Sequence, residues 1–179
     1  MSLVTHAPFP VPRRLAIALA AAGPVAVGGI LAARAHDPSP MLAAPAIVFG
    51  VVAATGPALY IATAAAGHAP PLAAVIRAFG VALGGFGIAL AGLILPAAFL
   101  SLSSGSARTT IAVTSGTVAG AGYLGLRRLA NELKASRPDA GSLDLGPPFA
   151  SRTVFVVWAV ATAAIAGRLW WDLAVEVVS

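Results

Sequence analysis

Residues 70–102 read PPLAAVIRAFGVALGGFGIALAGLILPAAFLSL, and none of the thirty positions between Arg77 and Arg108 carries a charge. A helix needs roughly 20 consecutive apolar residues to cross a bilayer whose hydrocarbon is ~30 Å thick. A helix of that length in a soluble core would show one apolar and one polar face, whereas this stretch is apolar all round. It predicts a transmembrane span and places the chain in a membrane.

The composition agrees. Of 179 residues, 59% are hydrophobic and 9% charged, against about 25% charged in an ordinary soluble domain. No segment outside the apolar runs is long enough to fold alone, so residues 13–179 read as one transmembrane domain. The formal charge is +5, but the eleven basic residues stand at the ends of apolar runs instead of gathering on one surface. Such residues set orientation in a membrane, so nucleic acid is not an expected partner. The chain has no cysteine, which excludes disulfides, thiolate metal sites and cysteine nucleophiles.

The fold class is all-α: a polytopic transmembrane helical bundle of about five spans, near 14–34, 41–66, 77–100, 109–126 and 153–174. Residues 1–12, MSLVTHAPFPVP, hold three prolines and no helical period, and are predicted to be a disordered lead. Residues 13–35 admit two readings, a retained first helix or a cleaved twin-arginine export signal ending at Ala33-Arg34-Ala35. The apolar run is longer than the ~7–15 residues of a signal core, which favours the retained helix. Span two carries Gly56-Pro57, where the proline ring is expected to kink the helix.

Span four, TTIAVTSGTVAGAGYLGL, is the least hydrophobic and the richest in small residues. Glycine is useful where helices approach closely and not where they face lipid, so this span is expected in the middle of the bundle. Residues 127–152 follow as a cytoplasmic amphipathic segment and linker. Leu126, Leu129, Ala130 and Leu133 recur at helical spacing there, and the segment is expected to lie at the membrane surface. Arg127, Arg128 and Lys134 would meet lipid headgroups, making membrane lipids an expected partner. Arg168, Trp170 and Trp171 mark the far interface of span five.

Threading five spans puts eight basic residues on the N-terminal side and three on the other. The positive-inside rule then makes the N-terminus cytoplasmic and the C-terminus external. The alanine- and glycine-rich composition points to a bacterial inner (plasma) membrane.

Three patterns are candidate sites. Gly80 and Gly84, Gly116 and Gly120, and Gly28 and Ala32 are small residues four apart, suited to helix packing within the bundle or to a homo-oligomer or membrane-protein partner. Arg168, Asp172 and Glu176 form one stripe of the last span, either a functional charge cluster or a set of residues leaving the bilayer. Gly120, Gly122 and Gly125 match a dinucleotide fingerprint by letter, without the strand such a motif requires. His6, His36 and His68 each lie in a turn or the N-terminal tail and do not form a ligand set, and no catalytic, metal-binding or cofactor-binding residue is assigned.

The segment GHAPPLAAVIRAFGVALGGFGIALAGLILP, residues 67–96, is similar to the glycine-then-basic lead into the middle helices of the Yip (Rab-interacting) family. The layout resembles that family in its five spans, cytoplasmic N-terminus, short hairpin between spans two and three, and proline closing span three. That resemblance implies an adaptor or scaffold and no catalytic residues. The expected role is a non-catalytic scaffold or accessory subunit of a membrane assembly. The alternative is a small transporter or channel subunit, with Thr55, Thr63, Thr114, Ser115 and Thr117 lining a wet path. The same hydroxyls can instead bond carbonyls of their own helices.

Overall fold

A computed structural model describes residues 13–65, 70–136 and 148–178. Among them are five helices and no strand: α1 (Arg13–Ala35), α2 (Ser39–Ala65), α3 (Leu72–Ser103), α4 (Ala107–Ala135) and α5 (Pro148–Val178). The expected lead 1–12, the turn at 66–69 and most of the linker lie outside the described residues. Each helix outruns the apolar stretch that predicted it, because backbone hydrogen bonding continues past the hydrocarbon edge until the chain must turn. At ~1.5 Å per residue the 32 residues of α3 reach about 48 Å, well beyond the ~30 Å hydrocarbon layer. Three helices are long and apolar enough to cross a membrane: α2, α3 and residues 152–177 of α5. A shorter apolar helix covers Ala20–Ala35.

The helices run up and down. One apolar cluster joins Leu59, Ala78, Ala82, Leu129 and Trp158, and so gathers the C-terminal parts of α2 and α4 with the N-terminal parts of α3 and α5. A second joins Val27, Phe86, Leu90 and Ala121 at mid-height. A third brings Leu31, Ala44 and Leu173 together at the opposite end. Neighbour contacts close a ring in the order α1, α2, α5, α4, α3, and α1 also reaches across to α4 and α5. The most extensive pairing is α3 with α4, whereas α4 and α5 touch only thinly. Helices in lipid gain little from excluding water, so shape must hold them. At Gly28 the fit is tight: an added Cβ would stand 2.3 Å from the carbonyl oxygen of Pro40 at the start of α2.

Three expectations are corrected here. The helix that touches all four others is α1, not α4; α4 pairs closely with α3 alone, with Ala112, Gly116, Ala119 and Gly120 on its exposed side. Its small residues therefore do not report centrality. The segment after Leu126 does not leave the bundle to lie on the membrane. It continues α4, with Leu129 buried and Leu126 and Leu133 packed on the first cluster beside Trp158. The apolar positions that suggested a lipid-facing stripe face other helices instead. The linker is also shorter than expected, since α5 already begins at Pro148.

Proline does not end any span. Pro24 in α1, Pro45 and Pro57 in α2, and Pro96 in α3 are all carried within continuous helices, as membrane helices tolerate when neighbours compensate the freed backbone groups. Near Pro57, the indole Nε1 of Trp158 donates to the carbonyl of Thr55 at 2.7 Å. The edge of one ring meets the face of the other where Phe79 stands 5.9 Å from Trp158 at 84°, a preferred aromatic geometry.

Candidate functional site

Whether the bundle carries a polar path depends on where its hydroxyl groups turn. Thr55 donates to the carbonyl of Val51 at 2.8 Å, Thr63 to Leu59 at 2.9 Å, Thr114 to Thr110 at 2.8 Å and Thr117 to Val113 at 2.8 Å. Each bond returns to the preceding turn of its own helix. Ser115 instead accepts the indole Nε1–H of Trp170 at 2.8 Å, which joins α4 to α5. Ser101 Oγ and Thr162 Oγ1 are buried without a partner among the described residues, and they sit on different helices, at the end of α3 and within α5. The space between helices is filled by Leu31, Leu59, Leu90 and Val27, each at most 1% exposed.

The charges lie outside that interior. Arg168 and Asp172 form an ion pair at 3.2 Å, one turn apart on α5, with side chains 74% and 53% exposed. Glu176 continues the same stripe and is also exposed. The stripe thus faces away from the bundle, not toward α1–α4. Arg127, Arg128 and Lys134 are exposed at the opposite end, where the aliphatic part of Arg128 lies beside Gly85. At the end that holds Asp172, the guanidinium of Arg34 donates to the carbonyl of Gly105 in the α3–α4 loop. Gly105 has a φ of +64°, a left-handed conformation that disfavours a side chain. In the α1–α2 turn, Asp37 accepts from both the backbone N–H and the hydroxyl of Ser39. Those bonds, the hydroxyl one first, hold its carboxyl below the usual carboxylate range despite a slight opposing effect of burial.

The four glycines singled out for helix packing divide. Gly84 is buried within α3. At Gly80, Gly116 and Gly120 an added Cβ would meet nothing within 4 Å, so among the described residues these three pack against no other helix. Packing inside the chain thus does not explain them. The letter match to a dinucleotide fingerprint at Gly120–Gly125 falls wholly inside α4. Among the described residues, no group of three or more His, Cys, Asp or Glu side chains converges on one point.

Where α4 and α5 touch only thinly, a lateral groove of about 670 Å³ opens between them. Arg108, Ile111, Ala112 and Ser115 line it from α4. Trp171, Ala174 and Val175 line it from α5. Sequence reasoning missed this groove because it depends on which sides of two distant helices face each other. The nearest signal was the paired Trp170 and Trp171: one indole is hydrogen-bonded into the bundle, while the other, 60% exposed, forms a wall of the groove.

An all-α bundle with membrane-length apolar helices defines the class: a transmembrane helical protein. No protein-family model, curated protein or solved structure matches the chain.

Proposed function

We propose that this chain is a multi-pass protein of a bacterial inner membrane that serves as a non-catalytic scaffold or accessory subunit of a membrane assembly. One observation carries the reading: four threonine hydroxyls expected along a wet path are spent on carbonyls of their own helices, and aliphatic side chains fill the space between helices. A conducting path needs polar groups turned toward it. The resemblance of the layout to the Yip family implies a similar adaptor role. All five helices thread the bilayer, and α4, less apolar than its neighbours, is carried across by its pairing with α3. A cytoplasmic N-terminus is supported by the basic residues Arg77, Arg127, Arg128, Lys134 and Arg152 at that end.

The test has two arms. Affinity purification from native membranes in mild detergent should recover a stoichiometric membrane-protein partner. Reconstituted protein that purifies without a partner and conducts ions or solutes across liposomes would replace the scaffold with a transporter. Orientation is read separately, since the chain lacks cysteine. A membrane-impermeant maleimide should label Ser104→Cys in intact cells and Lys134→Cys only after lysis; the reverse pattern inverts the topology.

A further inference from the structure

The groove between α4 and α5 has a cation at one end and apolar walls along its length. Arg108 stands in the first turn of α4, exposed, and no carboxylate pairs with it among the described residues. That first turn contains no acidic side chain, and the Ser106 hydroxyl makes no capping bond to it. Below Arg108 the groove is walled by Ile111, Trp171 and Val175 over small Ala112 and Ala174. The hydroxyl in its lining, Ser115 Oγ, already accepts the hydrogen bond from Trp170. Nothing in the lining asks for a polar ligand except the guanidinium.

We propose that this groove holds one anionic phospholipid, with an acyl chain along the apolar slot and the phosphate at Arg108. The volume falls within the ~300–1,000 Å³ of ordinary ligand sites. Arginine at the boundary of the hydrocarbon is suited to a phosphate, which accepts charge-assisted hydrogen bonds from its fork of donors. The exposed indole of Trp171 supplies the flat amphipathic surface found at headgroup depth. A second copy of the chain fits less well, because it would have to bring a carboxylate to Arg108. The described carboxylates at this end are already engaged: Asp37 with Ser39, Asp172 with Arg168, and Glu176 with a partner of its own. The site is distinct from the basic residues of the opposite end, Arg127, Arg128 and Lys134. It does not depend on the scaffold role.

The test is native mass spectrometry of the whole protein in mild detergent, titrated with palmitoyl-oleoyl phosphatidylglycerol and, in parallel, with the phosphatidylcholine of the same chains. One phosphatidylglycerol should be retained in preference to phosphatidylcholine. Arg108→Gln should weaken that retention by about tenfold, the loss of one charge-assisted contact. Ala112→Trp, which fills the slot but leaves Arg108 in place, should abolish it. Arg127→Gln, at the other end, should leave it unchanged, and inorganic phosphate alone should not displace the lipid. Retention unaffected by both groove variants overturns the proposal, as does equal retention of phosphatidylcholine. A lipid-free dimer cross-linked through Ala112→Cys overturns it in favour of a second copy.

Discussion

Gly28 and Gly29 are neighbours in α1 with opposite surroundings, and replacing each in turn by alanine isolates a single packing contact. A Cβ at Gly28 would lie 2.3 Å from the Pro40 oxygen, 2.8 Å from the Met41 Cα and 2.9 Å from the Pro40 carbonyl carbon. Carbon atoms in comfortable contact sit ~3.5–4.0 Å apart. All three obstacles are backbone, so no rotamer change relieves them; α1 and α2 must separate. Overpacking of this kind costs about 1–3 kcal/mol. At Gly29 the added methyl meets nothing within 4 Å, leaving only the gain of about 1 kcal/mol from replacing a helical glycine by alanine. Both variants share that gain, so the difference between them is the clash alone, about 1–3 kcal/mol in favour of Gly29→Ala. Equilibrium unfolding in mixed micelles with rising dodecyl sulfate, followed by tryptophan fluorescence, measures it. Equal midpoints for the two variants would refute the close approach of α1 to α2, and with it the packing of Leu31 on Ala44.

Further outcomes follow from contacts elsewhere. Gly105→Ala should destabilise by about 1–2 kcal/mol because of its left-handed backbone, and should speed hydrogen exchange in the α3–α4 loop; an unchanged loop would disprove the strain. Trp158→Phe keeps an aromatic ring beside Phe79 but loses the bond to Thr55, and should cost about 1 kcal/mol in the same unfolding assay. Wild-type stability would mean that the bond contributes nothing. Asp37 has a depressed folded-state pKa, so its bonds to Ser39 contribute fully above the ordinary carboxylate value near ~3.9 and fade as pH falls through the lower folded value. Exchange of the Ser39 amide should therefore accelerate on acidification below about pH 4, once corrected for its intrinsic rate, and stay flat from about pH 5 to 8. Asp37→Asn should remove that acid limb, and a variant that keeps it would assign the effect to another group.

The helical class and the number of helices were legible because the apolar runs are long and separated by proline, glycine and serine. Their ends were not, since hydropathy senses the hydrocarbon while helical hydrogen bonding runs on, as at Leu72 before Arg77 and at Pro148 before Arg152. Facing was the harder problem. Leu126, Leu129 and Leu133 form the same apolar stripe whether it meets lipid or Trp158, and only the partner helix decides. Small residues carry the same ambiguity: Gly28 and Gly84 are enclosed, but Gly116 and Gly120 look outward, with nothing local to separate the pairs. The α4–α5 groove lay beyond reach because Arg108 and Trp171 are distant in sequence and belong to helices that only partly touch.

The two indole bonds have a consequence for how the bundle keeps its register. Van der Waals packing of smooth alanine, leucine and valine surfaces lets one helix rotate or slide past another at little cost, and the bonds of Thr55, Thr63, Thr114 and Thr117 stay within their helices and travel with them. Trp158 to Thr55 and Trp170 to Ser115 are directional, and both begin on α5. They dock at nearly opposite heights, one on α2 and one on α4. The last helix thus acts as a key with two teeth, indexing α2 and α4 against each other although those two share no extensive contact of their own. A chain divided between α4 and α5 should reassociate from two co-expressed pieces, and erasing both teeth should leave the pieces able to meet but not to settle on one alignment.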